Sequence, residues 1–144
     1  MATKRAFQRN LRDKDLLKSF VLPAAASTTV ISAIIDTDLR TAQGSFPDGV
    51  EAVVKTPALS TTIIPNAATA TLSIEQSDDL AFGAGLVDIL ATVVSTGAAG
   101  AGVAAAEARA MLGMGTKRYL RAKVAFGAGT TTGAALSAEF ALVF

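Results

Sequence analysis

Three separate stretches of this chain alternate apolar and polar residues with a period of two. In 69–76, Ala70, Leu72 and Ile74 oppose Thr71, Ser73 and Glu75. In 117–126, Leu120, Ala122, Val124 and Phe126 oppose Lys117, Tyr119, Arg121 and Lys123. In 134–143, Leu136, Ala138, Phe140 and Leu142 oppose Ser137 and Glu139. A helix cannot bury such a pattern on one side. A strand can, because successive side chains point to opposite faces. Each stretch therefore predicts a strand with one buried and one solvated face, as in antiparallel sheets.

Four further runs read as strands, at 28–35, 50–55, 59–64 and 86–95, because Thr, Val and Ile stand between clusters of Gly, Pro, Ser and Asp. Seven or so short strands joined by turns predict an all-β fold, a jelly-roll-like antiparallel β-sandwich over 24–144. With 144 residues, one such domain is the default, and it needs no disulfide or structural metal. The exception is Val103–Leu112, VAAAEARAML, whose helix formers predict a short helix or a loop excursion, capped by Gly113. Residues 1–23 form a basic N-terminal arm. Within it, 7–22 fits a short amphipathic helix with Phe7, Leu11, Leu16, Leu17 and Phe20 near one side, and fits an extended arm equally. Pro23 ends that segment.

Charge separates arm from body. Residues 1–18 carry a net +4, from Lys4, Arg5, Arg9, Arg12, Lys14 and Lys18 against two aspartates, while 19–144 carry −3. With Phe7 and Leu11 as apolar anchors, these cations are the candidate contacts of the arm with a shell or a neighbouring subunit; a solubilising tail is the plainer reading. The uncharged run 20–35 is broken by Pro23 and several Ser and Thr, and does not read as a signal peptide. The run 89–106 is too weakly hydrophobic for a spanning helix, so no membrane association is expected.

Chemistry is sparsely represented. With no His and no Cys, a Ser-His-Asp triad, a cysteine nucleophile and an ordinary zinc site are all excluded. Gly100–Ala105 fits G-x-G-x-x-A, but a dinucleotide site also needs a βαβ unit and a carboxylate about twenty residues on. Neither is present in the sequence pattern. Asp36-x-Asp38 and Asp78-Asp79 stand at strand ends, where Asp favours turns. The string AFGAG at 81–85 and 125–129 reads as recurrent turn chemistry rather than duplication. No catalytic residue, metal or cofactor is expected.

Two features point to an interface. Lys117, Tyr119, Arg121 and Lys123 share one strand face; basic residues with an aromatic suit nucleic acid, but one Tyr and no Trp make a poor stacking platform. A solvated face or a subunit contact is favoured instead. The strand 86–95 is apolar on both sides, with Leu86, Asp88, Leu90 and Val94 on one and Val87, Ile89, Ala91 and Val93 on the other. One side packs the core; the other is available to a second subunit, where Asp88 needs a basic partner. The candidate interface set is thus Leu86, Asp88, Leu90, Lys117, Tyr119, Arg121 and Lys123.

Residues 24–144 resemble the small cement, or decoration, proteins of tailed bacteriophage heads. The resembling pieces are ASTTVI at 26–31, ATLSIEQSDDLAF at 70–82, GMGTKRYLRAKV at 113–124 and GAALSAEFAL at 133–142. The KRYLR piece is the most distinctive, and the arm has no counterpart. The resemblance implies a jelly roll, a homotrimer, no enzyme activity, and attachment to the major capsid protein lattice on the outside of a virion, by a protein made in the host cytoplasm. Other readings are a head-fibre base or tail-associated β module and, from another class, a carbohydrate-binding jelly roll or hydrolase.

Overall fold

The computed structural model describes residues 16–37, 49–83 and 87–144, and the chain there is a two-sheet antiparallel sandwich with no α-helix among the described residues. Its strands are β1 (Leu17–Val21), β2 (Thr29–Ile31), β3 (Ile35–Asp36), β4 (Glu51–Thr56), β5 (Thr69–Ser77), β6 (Asp88–Thr96), β7 (Ala106–Met111), β8 (Tyr119–Phe126) and β9 (Ser137–Val143). One sheet has the order β1-β9-β4-β7. The other has β2-β8-β5-β6, with β3 also on β8. If β2 and β3 count as one broken strand, eight strands divide between two four-stranded sheets in the jelly-roll order, with β5 and β6 adjacent in one sheet.

The alternating stretches are the inner strands. Ala70, Leu72 and Ile74 of β5, Leu120, Ala122, Val124 and Phe126 of β8, and Ala138, Phe140 and Leu142 of β9 are all buried between the sheets. Ala52 and Val54 of β4 meet them from the other sheet, and Leu22, Ile35, Leu59 and Ile64 close the ends. Small residues at Ala70, Ala122 and Ala138 share this core with the large Phe126 and Phe140, all of them buried.

Several expectations are corrected. The segment 103–112 is not a helix or a loop excursion: Ala106–Met111 is β7, at an edge of the first sheet. Its alternation is real, with Ala108, Ala110 and Leu112 buried and Glu107, Arg109 and Met111 exposed. Pairing with β4 overrides its helix propensity. The opposite pair Lys55–Glu107 at 3.0 Å and the diagonal pair Glu51–Arg109 at 2.6 Å fix the register.

The run 59–64 is a turn rather than a strand. The amides of Ile63 and Ile64 both donate to the Ser60 carbonyl, and Leu59 alone bridges Val103. The run 28–35 is broken into β2 and β3 at Ser32, whose Oγ accepts from the Ala122 amide at 2.9 Å. Residues 17–21, read as helix or extended arm, are β1, paired with β9 from Leu17↔Ala141 to Val21↔Ser137, so the sandwich begins upstream of Pro23. Lys18 lies opposite Phe140 and hence on the core-facing side of this edge strand. An inward charge on an edge strand opposes pairing with stray chains. The other arm residues named above, Lys4, Arg5, Phe7, Arg9, Leu11, Arg12 and Lys14, lie outside the described residues.

Candidate functional site

The outward face of the β2-β8-β5-β6 sheet brings together Tyr119, Arg121 and Lys123 of the residues singled out as an interface. Cross-strand rows follow from the register. Ile31, Lys123, Ser73 and Thr92 form one, and Thr29, Ala125, Thr71 and Val94 the next. Arg121, Glu75 and Ile89 form a third, and Asp36, Tyr119 and Ser77 a fourth.

The expected polar side of β5 is not solvated. Ser73, Glu75 and Ser77 are buried although they point away from the core. Arg121 and Lys123 reach across to Glu75, Phe82 of the turn after β5 lies against Arg121, and the Asp79 amide donates to Ser77 Oγ. Asp79 shapes that turn, its two carboxylate oxygens accepting from the amides of Ala81 at 2.9 Å and Gly83 at 3.0 Å. Those two backbone bonds hold its carboxyl below the usual range. Asp79 thus behaves as a turn former, whereas Asp36 lies in β3 and pairs with Arg118, and Asp38 is outside the described residues. Phe82, at a positive φ of 49°, is buried beneath the Arg121 guanidinium, whose carbon sits 4.0 Å from the ring centre.

Glu75 is the hub. Its side chain is only 4% exposed and takes Arg121 at 2.9 Å on one oxygen and the Lys123 ammonium on the other. Burial pushes its carboxyl up, but the hydrogen bonds and charge of Lys123 and Arg121 together outweigh burial and hold it below the ordinary glutamate value. The stripe therefore carries its own counter-ions. Lys117 meets Asp88 at 2.8 Å, which supplies the basic partner Asp88 was expected to need and raises the Lys117 pKa. Arg118 forks onto Asp36 with both bonds at 3.0 Å and lies over the Tyr119 ring at 4.9 Å. A polyanion would have to displace these carboxylates to reach the cations.

The apolar side of this surface is rearranged relative to the sequence reading. The β5–β6 register slips between Ile74 and Glu75, because β6 carries Leu90 as an extra residue. Leu90, Ala91 and Val93 consequently pack on the core, while Ile89 and Val94 turn outward, 58% and 59% exposed. Leu90 is therefore not on the outer face, Ile89 takes that place, and Leu86 is outside the described residues. Glu75 and Phe82 were missed. The signal for Glu75 was available: four cations at 117–123 have no nearby acid in sequence, so an acid on another strand must face them.

Among the described residues, one buried side-chain atom on this face has no hydrogen-bond partner: Ser73 Oγ, between Lys123 and Thr92. An unpaired buried hydroxyl costs free energy that a methyl does not. Ser73→Ala is expected to raise stability by about 1 kcal/mol in urea denaturation; a loss would reveal a partner for the hydroxyl.

The Gly100–Ala105 fingerprint has no helix behind it. Residues 98–102 form a turn closed by the Ala98↔Gly102 bridge, and β7 follows. No family model matches this chain, and no curated protein is found to be similar to it.

Proposed function

We propose that this chain is a non-enzymatic virion structural protein, a cement or decoration protein that binds the outside of a phage head as a homotrimer and stabilises the shell. One observation carries the reading. The KRYLR segment, the most distinctive piece of the resemblance, leads into strand β8 and is paired with carboxylates of its own chain, on the same sheet whose edge strand β6 presents the outward apolar residues Ile89 and Val94. An apolar strip with a charged, ion-paired border is how subunit interfaces are built. A shell-binding protein of this kind needs no catalytic group. It adds binding free energy to the lattice that it recognises, and many copies at symmetric positions multiply modest contacts.

The expected result is a homotrimer at micromolar concentration by light scattering, and saturable binding to purified heads that lack the protein. Ile89→Asp with Val94→Asp should convert the trimer to monomer and lower occupancy on heads at least tenfold while leaving the β spectrum intact. A wild-type monomer that does not bind heads would overturn the proposal.

A further inference from the structure

One edge of the β2-β8-β5-β6 sheet is left open. Its end strand is β6, which pairs only with β5 among the described residues. None of its nine residues is fully buried, and even the core-facing Ala91 and Val93 stay partly accessible. The other edges are guarded. β2 has three residues, β1 turns Lys18 inward, and β7 carries Glu107 and Arg109. In β6 only the bulge at Leu90 plays that part. The regular stretch Ala91–Thr96 beyond it has no charge and no proline. A long uncharged edge is a template for another strand.

The register says which backbone groups this edge offers. The Gly97 amide donates to the Ala68 carbonyl at 2.8 Å, so Gly97 faces β5. Antiparallel ladders alternate, and the β5–β6 pairing is unbroken from Thr69↔Thr96 to Ile74↔Ala91. Ser95, Val93 and Ala91 therefore also face β5, whereas the amides and carbonyls of Thr92, Val94 and Thr96 face away from it. Among the described residues, no strand and no other backbone group pairs with those three on that side. All three residues are exposed, and their side chains point outward from the sandwich.

We propose that the open edge of β6 pairs with the same edge of a second copy, antiparallel and centred on Val94, joining two sheets into one. The occupant is a second copy because the edge is complementary to itself. With Val94 opposite Val94 and Thr92 opposite Thr96, all three donors and all three acceptors of each copy are used, and outward side chains meet outward side chains. Threonines then stand across from one another, a favourable pair. Sliding the partner by two residues leaves one of the three positions unused. The nearest charge in the strand, Asp88, falls outside the paired stretch, so no like charges are opposed. The contact is two-fold and made by backbone. It does not rest on the function proposed above, which uses the outward side chains of Ile89 and Val94.

The chain has no cysteine, so a single introduced thiol reports the contact. Val94→Cys would bring two Cβ atoms to about 5.5 Å across the pair. A short bifunctional thiol reagent should join two full-length chains at least tenfold more than in Ile31→Cys, a position 52% exposed on the strand at the sheet's other edge. Adding Thr92→Pro or Thr96→Pro removes an edge-facing N–H and no bond to β5, and should bring the yield down to that of the control. Amide exchange gives a second readout. At 1 mM protein the Val94 and Thr96 amides should exchange at least tenfold faster in Thr92→Pro than in the unaltered chain, while Val93 and Ser95 stay slow in both. Cross-linking no higher than the control would overturn the proposal, as would equal exchange in the two proteins. So would cross-linking that survives both prolines, which would place the contact on the outward side chains instead of the edge.

Discussion

Replacing Glu75 by Gln is expected to destabilise the fold by about 2–3 kcal/mol at neutral pH. The substitution keeps the shape and removes the charge, leaving Arg121 and Lys123 converging on a neutral amide. Breaking a fully buried ion pair costs roughly 3–5 kcal/mol. The cost here is smaller because Arg121 and Lys123 are 18% and 31% exposed and can turn partly to water. The effect has a definite pH dependence. The Glu75 pKa is lowered in the folded state, so the unfolded chain binds its proton first as the solution is acidified. Its contribution is complete above the ordinary glutamate value, about 4.3, and is lost as pH falls through the lower folded value. The stability difference between wild type and Glu75→Gln, from urea midpoints at pH 7 and pH 3, should therefore shrink on acidification. A difference that stays constant over that range would show that shape rather than charge is responsible.

Gly102→Ala should cost at least about 3 kcal/mol, and Gly100→Ala only about 1–2. Both glycines adopt positive φ, 69° and 78°, so both alanines carry the left-handed backbone penalty. They differ in surroundings. A Cβ at Gly102 would lie 2.1 Å from the Leu59 carbonyl oxygen and 2.7 Å from the Ser60 carbonyl carbon, whereas Gly100 has nothing within 4 Å. The obstacle is backbone, so it can yield only by breaking the Leu59–Val103 bridge, whose two amide bonds are each 2.8 Å. Equal thermal shifts for the two variants would remove the close approach as a cause. These glycines occupy the fingerprint that resembled a nucleotide loop, and the structure gives them an architectural reason to be glycine.

The inner strands were the easiest to read. β5, β8 and β9 each have neighbours on both sides and a core on one face, so their side chains alternate without interruption. The edges were harder. β7 is built from Ala, Glu, Arg and Met, residues that favour helix, and only the valine-rich β4 beside it makes extension the lower free-energy choice. In β6 one extra residue exchanges the faces. The sequence places Leu90 with Val94, and the bulge places it with Ala91 and Val93 instead.

The candidate site divides in the same way. The cations at 117, 121 and 123 were visible as a stripe because spacing along one strand is covalent. Their neutralisation was not. Glu75 stands 46 residues from Arg121 and 48 from Lys123, Asp36 is 82 from Arg118, and Phe82 reaches Arg121 through a turn.

By itself the sequence determined the two-residue period, and with it the all-β class, the inward residues of β5, β8 and β9, and the charge contrast between arm and body. These follow from the alternation of side chains along an extended backbone and from counting. The tertiary structure alone decided which strands are neighbours, in which register, and where the bulge falls. Those choices depend on how two sheets close over one core, and they turn an exposed-looking glutamate into the buried hub of an ion-paired face.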